Sequence, residues 1–362
     1  MKYKEKLFLI LTILHTFSCI IFFSFNEIDF QNTLFYNFIS LTIPIQFVIS
    51  ISLSIIWLFI NYKIVTIPLL VLLSGYNSLR ETYNYHFHGS NAKSDFSVLS
   101  YNVGSFNLDR YGFSIDKDTV IYVDTLNTEL QSRWLDSVQA DILCFQEFYN
   151  NDRYISESII SKLVRNGYVH YYTNPIHIRS LEGFFGVIIF SKYPIIKGDS
   201  IKYSNQPSMN RGVYADIKIN EDTIRVINIH LHSMSIRINT VPQDFQNNLK
   251  ITKNKLKKGF NERSKQIETV VSLINNSPYK VILCGDFNDL PYSYSYQKVK
   301  KVLKNAYETA GTGFGFTYNK FPFFIRIDNQ FYDEGLEPNY FNTLKNNKSD
   351  HFPIEAGYSF NK

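Results

Sequence analysis

Val281-Ile-Leu-Cys-Gly-Asp-Phe-Asn-Asp289 is an apolar run that stops at a glycine and continues into Asp286, Asn288 and Asp289. Four consecutive apolar residues suit a strand covered on both faces, because neither alternating face then meets water. Gly285 lets the backbone turn sharply, so the next side chains project from the end of a sheet. An aspartate and an asparagine at such an end are suited to gripping a metal-bound phosphate.

Working outward from this run, the chain has 362 residues, a formal net charge of +5 and 16% aromatic residues. That length holds one large domain or two ordinary ones, and the mild charge permits a nucleic-acid partner without requiring one. Of the three cysteines, Cys144 and Cys284 lie in core-like runs and Cys19 in an apolar N-terminal run. They read as small buried hydrophobes, and with no CxxC spacing a thiolate metal site is excluded.

Leu7 to Phe25 is almost wholly apolar, is interrupted by His15, and follows Lys2, Lys4 and Lys6. It is long enough to span a bilayer, and with no small-residue cleavage site behind it an anchor is expected rather than a cleaved signal. Phe38 to Ile60 predicts a second span, and Ile64 to Leu79 a third that is short enough to be re-entrant or interfacial instead. Glu27 and Asp29 follow the first span and Lys63 the second, which puts the N-terminus and the Lys63 loop in the cytoplasm. Three crossings then place the remainder on the non-cytoplasmic side of a cell inner membrane, whereas two would leave it in the cytoplasm. The expected organisation is an anchor over 1–80, a polar linker over 81–94 and a catalytic domain over 95–362. His86 and His88 fall in the linker and read as solvated side chains.

From Asp95 onward, short apolar runs repeatedly end in polar residues: at Asn102, at Gln146-Glu147, at His230 and at Asp286. Strands that deliver side chains to one rim produce this pattern. Helical periodicity alternates with them over Gln131 to Gln139 and Arg263 to Asn275, and Gly212 to Asn220 pairs with Thr223 to Ile229 around an Glu221-Asp222 turn. Two packed sheets flanked by helices are expected. Taken singly, each polar strand end reads as a solvated loop residue or a structural histidine. Six in one domain, with Asp328 and Ser349-Asp350-His351 completing the set, read as a constellation.

Ser100-Tyr-Asn-Val, Phe145-Gln-Glu147, Asn228-Ile-His-Leu231, Gly285-Asp-Phe-Asn288, Arg326-Ile-Asp328 and Ser349-Asp-His351 resemble the ordered motifs of the endonuclease/exonuclease/phosphatase superfamily. The resemblance covers 95–362 and none of the apolar N-terminus, and it includes Gly183-Phe-Phe-Gly-Val-Ile-Ile-Phe-Ser-Lys-Tyr-Pro194 as a core segment. It implies a four-layer α/β sandwich that cleaves phosphate esters with a divalent ion, usually magnesium, with manganese as the alternative. Under it, Glu147 is the metal ligand, with Asn102 supporting it through its carbonyl oxygen and Asp350 either touching a second ion or capping its loop. His351, oriented by Asp328, polarises water or steadies the phosphate. Asp286 holds or deprotonates the nucleophilic water, Asn288 donates to a phosphate oxygen, and His230 donates to the phosphate or the leaving group. His232 competes with His230 for that role, although the motif favours His230.

The sequence departs from the family pattern at two places. Many nucleases of the family carry a carboxylate where Gly104 stands, and an aromatic often follows the residue matching Asp328, where Asn329-Gln330 stands here. Arg211 at the start of a strand is suited to clamping a phosphate or to lying on the surface. The basic run of Lys250, Lys253, Lys255, Lys257, Lys258, Arg263 and Lys265 fits a nucleic-acid backbone, anionic lipid headgroups or a solvated loop entering a helix. Phe321, Phe323 and Phe324 fit lipid insertion or loop packing. The expected activity is membrane-anchored phosphodiester hydrolysis with nucleic acid as the leading substrate. A sphingomyelinase-like phospholipid hydrolase is the alternative, and a non-catalytic tethered binding module is the contrast from another class.

Overall fold

The computed structural model describes residues 2–24, 34–86, 93–107, 130, 132–150, 158–177, 184–203, 210–233, 245–320, 325–345 and 348–361. Glu27, Asp29, His88, Gln131, Gly183, Phe321, Phe323 and Phe324, named above, lie outside the described residues.

Two mixed sheets form the centre. One has the order β12(Leu336–Thr343), β13(Ile354–Phe360), β1(Phe96–Asn102), β2(Ile142–Asn150), β5(Phe184–Ser191), β3(His170–Thr173), with β4(Ile176–His177) also on β5. The other runs β10(Lys304–Asn305), β11(Asp328–Tyr332), β9(Lys280–Asp286), β8(Asp222–His230), β7(Gly212–Ile219), β6(Ile195–Ile201). In each sheet one central pair is parallel, β1 with β2 and β8 with β9, and the other pairings are antiparallel.

Period-two alternation explains why these strands are apolar throughout. Val98, Ile142, Cys144, Ile282 and Cys284 face the opposite sheet. Their neighbours Leu99, Leu143 and Phe145 face outward under Leu135 and the helix α6 (Ile159–Arg165). Val281 and Leu283 face outward under Ile267, Val270 and Ile274 of α7 (Phe245–Asn275). Each strand therefore has two dry faces, and the layers stack helix, sheet, sheet, helix. The expected sandwich is borne out, and both core cysteines are buried and free.

Buried amides fasten the sheets together toward the rim. Gln146 Nε2 donates to Asn228 Oδ1 at 2.6 Å, and Asn228 Nδ2 donates to the carbonyls of Phe145 and Ile188 at 3.0 and 2.9 Å. Gln330 Nε2 donates to the carbonyls of Val98 and Ile354 at 3.1 and 3.2 Å. Gln330, in the Asn329-Gln330 pair that stands where the family often has an aromatic after its aspartate, thus ties its amide to the opposite sheet.

Three sequence expectations change. The β7–β8 turn falls one residue early, at Asn220, whose φ of 52° an asparagine tolerates. The lysine run is helical rather than a loop: α7 begins at Phe245, and Lys250, Lys253, Lys255, Lys257, Lys258 and Lys265 are exposed while Arg263 is buried. The third apolar segment is bent by 70° between residues 62–74 and 76–82, so among the described residues two helices are straight, long and apolar enough to cross a membrane.

Those two are α1 (Tyr3–Ser24) and α3 (Ile43–Ile60), with the short α2 (Leu34–Ser40) between them. They run antiparallel: Trp57 Nε1 donates to Thr12 Oγ1 at 3.0 Å, His15 Nε2 lies 2.9 Å from Ser50 Oγ, and Phe23 stacks on Phe47. α4 (Thr66–Ser74) then returns to the Phe23 end. There Gly75 fits against the Phe23 and Phe47 rings so closely that a Cβ would lie 2.9 Å from each, and the bend into α5 (Tyr76–Thr82) follows. At this end Cys19, Phe22, Phe23 and Tyr36 form one apolar cluster with Tyr292 of the sandwich. The residues after α5 are also attached, Asn84 pairing with Gly313 through both backbone groups.

Candidate active site

All the polar strand ends arrive at the same edge, and the topology dictates it. Parallel pairing aligns the C-terminal ends of β8 and β9, setting His230 beside Asp286, and sets the end of β1 at Asn102 beside Gln146, where β2 does not end as expected but bulges and runs on to Asn150. Antiparallel pairing brings the start of β11 to the end of β9, with Asp328 opposite Asp286. It also brings the start of β13, just past His351, to the end of β1.

Local backbone then aims the side chains. β2 carries a bulge between Phe145 and Phe148, and within it Glu147 has φ +48°, a conformation that only surrounding structure holds in place. Without the bulge, period-two alternation would turn Glu147 away. Gly285 does not break the strand as expected but lies within β9 with φ +137°, and a Cβ there would lie 2.0 Å from the Ile229 carbonyl oxygen, so this position beside the neighbouring strand is closed to any other residue. Asn288 also has positive φ, 51°, and is tied to the loop by its N–H donating to Asp286 Oδ1 at 2.7 Å.

The centre is acidic and dry. Asp286, Asp328 and His351 are buried, and their candidate ligand atoms lie within 4.8 Å of one another. His351 Nδ1 is 2.8 Å from Asp328 Oδ2, and its Nε2 is 3.8 Å from Asp286 Oδ2. Burial would lower the His351 pKa, but the carboxylates of Asp328 and Asp286 push it up to about 10. At neutral pH the proton shared with Asp328 therefore stays on the imidazole, which acts as a donor.

His230 is only 4% exposed, and neither ring nitrogen has a hydrogen-bond partner. Its Nε2 lies 3.6 Å from both Glu147 Oε1 and Asp286 Oδ2. A buried imidazole left unpaired costs a desolvation penalty of about 1–3 kcal/mol, which a bound phosphate, water or cation would relieve. Asn102 Nδ2 faces the same two carboxylates, at 3.0 Å from Asp286 and 3.4 Å from Glu147, while its Oδ1 accepts from Gly104 N–H. As a metal ligand it would present the opposite amide orientation.

Hard carboxylate oxygens converging beside neutral amide groups are the donor set of a magnesium-like ion, so Glu147 and Asp286, with Asn102, fit such a cation. Asp350 sits at the margin, its Oδ1 3.3 Å from Ser349 Oγ, whose proton goes to the nearer Asn102 carbonyl at 2.8 Å. Gly104, where many relatives have a carboxylate, has φ +52°, and a Cβ there would lie 3.1 Å from Ser349 Oγ.

Arg211, expected at the site, points elsewhere, as do His232 and Asp289. The Arg211 carbonyl accepts from His230 N–H at 2.7 Å, but its guanidinium reaches toward the Asn174 carbonyl at 3.5 Å. It lines a neighbouring cavity of about 270 Å³ with Lys202, Asn210, His232 and Lys265. His232 is therefore in the side cavity and His230 in the centre. Asp289, from the opening motif, turns inward, accepting from Arg263 Nε at 2.9 Å.

Sequence reasoning missed Tyr318 and Thr317. Tyr318 packs edge-on against His351, and Thr317 Oγ1 accepts from the N–H groups of Ile327 and Asp328 at 3.0 and 3.1 Å. Neither follows an apolar run, so strand-end logic could not find them.

Residues 99–351 match the model of the Endonuclease/Exonuclease/phosphatase family. Residues 5–82 match a model described only as a domain of unknown function (DUF8431). No curated protein matches the chain in sequence. Among solved structures, the endonuclease/exonuclease/phosphatase from Bacteroides vulgatus is similar at 16% identity and a TM-score of 0.52, covering 74% of this chain and 99% of that one. The endonuclease/exonuclease/phosphatase from Beutenbergia cavernae DSM 12333 is similar at 13% identity and 0.51, covering 74% and 72%. A functionally unknown conserved protein from Enterococcus faecalis V583 is similar at 18% and 0.50, covering 73% and 100%. These likenesses carry the fold, and the family model, matching well over half of the residues at the motifs gathered on this rim, carries membership: the chain belongs to the endonuclease/exonuclease/phosphatase family, hydrolases of phosphate esters that generally use divalent metals.

Proposed function

We propose that this protein is a membrane-anchored phosphodiesterase that requires a divalent cation, magnesium being the expected one, and that nucleic acid is its leading substrate. The observation that carries the reading is His230, buried and unpaired between Glu147 and Asp286.

A cation held by Glu147 and Asp286, with Asn102, would withdraw charge from the phosphoryl oxygens and ease departure of the leaving oxygen. Around it, Asn288 Nδ2, now directed at Asp286 Oδ2 at 3.2 Å and the Leu231 carbonyl at 3.0 Å, is close enough to redirect a donor to a phosphate oxygen. His230 donates to the phosphate or to the leaving group. Asp328 holds the His351 ring so that Nε2–H points into the centre beside Asp286, where it steadies the phosphate or orients water. Asp286 is the group placed to accept the proton of the attacking water.

The catalytic domain is proposed to face the non-cytoplasmic side of a cell inner membrane. Lys2, Lys4 and Lys6 lie at one end of α1, whereas Phe22, Phe23 and Tyr36, which meet Tyr292, lie at the other. An odd number of passages, with α4 as a short third, fits that arrangement and the positive-inside tendency.

One observation favours a second reading, a phospholipid phosphodiester substrate. Leu290 and Tyr292, two and four residues beyond Asn288, pack in the apolar cluster at the end of the membrane helices. The deciding experiment offers plasmid DNA, RNA and sphingomyelin vesicles to the full chain in nanodiscs with magnesium, with Asp286→Ala as control. Chelator-sensitive nucleic-acid cleavage absent from the control supports a nuclease, and lipid turnover alone supports the second reading. Hydrolysis of none of them would leave a tethered binding module.

A further inference from the structure

Arg326 opens the Arg-Ile-Asp motif, yet it is 3% exposed and does not face the reaction centre. Its Nη2 donates to the Glu81 carbonyl at the C-terminal end of α5 at 2.7 Å, and its Nη1 donates to the Asn329 side chain. The guanidinium lies 4.2 Å from the Tyr307 ring centroid and 5.4 Å from that of Tyr296. The Tyr307 hydroxyl in turn lies between two carbonyls, 2.5 Å from that of Gly313 and 3.2 Å from that of Thr82. Asp328 is thus held in a four-residue segment, 326–329, whose two ends meet in one guanidinium, and the other side of that guanidinium is the juxtamembrane helix.

The helix itself is fixed from several directions. Glu81 Oε1 accepts from Lys300 Nζ at 2.6 Å and from Gln297 Nε2 at 2.8 Å, both on or beside α8 (Tyr294–Lys300). Thr82 Oγ1 pairs with the Tyr292 hydroxyl. Lys300 also pairs with Glu308 of α9 (Ala306–Ala310) at 2.8 Å. A tether would not need this set of directed polar contacts, and an arginine fork is the side chain that converts helix position into strand position, because its planar donors fix direction as well as distance.

We infer that Arg326 is a positioning residue through which the juxtamembrane helix α5 sets Asp328, and thereby the His351 ring, for catalysis. The inference rests on the phosphodiesterase reading for its kinetic consequence and on geometry alone for its structural one. A small shift of α5 then moves Asp328 relative to His351, and misplacement by about 1 Å costs on the order of a hundredfold in rate. Orientation of the membrane anchor and activity are thereby coupled, and a domain cut free at residue 95 would lose the carbonyl that Arg326 grips.

The test uses the full chain in nanodiscs with three changes: Arg326→Lys, which keeps the charge and loses the fork, the helix-side pair Glu81→Gln with Thr82→Val, and all three together. Thermal unfolding first fixes a temperature at which every variant is folded. Arg326→Lys and the helix-side pair are each expected to lower kcat about tenfold or more with KM unchanged, and the triple variant to fall no further than Arg326→Lys alone. Multiplicative losses in the triple variant, or unchanged kcat in both, overturn the inference.

A readout independent of substrate keeps it separate from the proposed function. In histidine-labelled protein, the downfield ring N–H resonance of His351, identified by its loss in Asp328→Asn, is expected to shift in Arg326→Lys and in the helix-side pair. If that resonance is unmoved in both, the positioning role is wrong even where the enzyme is active. If it moves while no phosphodiester is hydrolysed, the relay stands and the activity reading falls.

Discussion

Two buried polar regions lie a few residues apart, and their charges are arranged in opposite ways. Around α5, Lys300 bridges Glu81 at 2.6 Å and Glu308 at 2.8 Å, Gln297 adds a bond to Glu81 at 2.8 Å and Arg326 grips the Glu81 carbonyl at 2.7 Å, while Glu81 Oε2 and Arg326 Nε have no hydrogen-bond partner among the described residues. At the rim, Glu147, Asp286 and Asp328 gather around two imidazoles and two amides, and His230 is left with both nitrogens unpaired. The α5 network, bridged by a lysine between two carboxylates, holds position, whereas the rim sets three carboxylates against imidazoles and amides and keeps its electrostatic free energy for something that binds. Two polar regions thus divide into scaffold and site by where the cationic side chains lie, not by complete pairing in either.

The sharpest way to break this comparison is Asp286→Ala. We expect hydrolysis to fall about a thousandfold, roughly 4 kcal/mol of transition-state stabilisation, with the melting temperature unchanged or raised because a crowded buried carboxylate is gone. A large loss of stability would instead put Asp286 with the scaffold.

Gly285→Ala comes next. The methyl group collides with the Ile229 backbone at 2.0 Å, so β9 must shift against β8 just before Asp286, at about 3 kcal/mol read from denaturant unfolding. Glu147→Gln is expected to lower activity about a hundredfold and to raise the cation concentration needed for half-activity, with little change in unfolding. If the cation requirement stays where it was, Glu147 is not a ligand.

On the scaffold side, Lys300→Met strands Glu81 and Glu308 together. Because Lys300 is 29% exposed, water softens the cost to about 2 kcal/mol of stability. The smallest effect concerns the lysine face of α7. If nucleic acid lies along it, Lys257→Gln with Lys258→Gln reduces the slope of log affinity against log salt by about two, and if the face is merely solvated the slope stays fixed.

How much of this was legible without coordinates can be followed residue by residue. The strand ends at Asn102, His230 and Asp286 were readable because a buried strand must be apolar on both faces and must stop where polar groups begin. The family motifs then tied Asp328 to His351, and the structure sets them 2.8 Å apart. The bulge at Glu147 was not readable, since an extra residue in a strand is defined by its partner, Gly186 to Ile188 of β5, and not by its own neighbours. Nor could sequence separate Arg263, buried on Asp289, from the exposed lysines beside it, as helical phase decides which of them turns inward.

Periodicity and hydrophobic burial are local rules that each segment obeys alone, so two packed sheets flanked by helices, the apolar N-terminal helices and the residue types at the rim were readable without coordinates. Coordinates were needed to see that Arg211 lines a side cavity, that Asn329-Gln330 stands in place of an aromatic and fastens Arg326 and the two sheets, and that the start of the segment read as a polar linker supplies the carbonyl gripped by Arg326 beside Asp328. Those outcomes depend on pairings such as Glu81 with Arg326, 245 positions apart, where direction and distance are set by every layer packed between them.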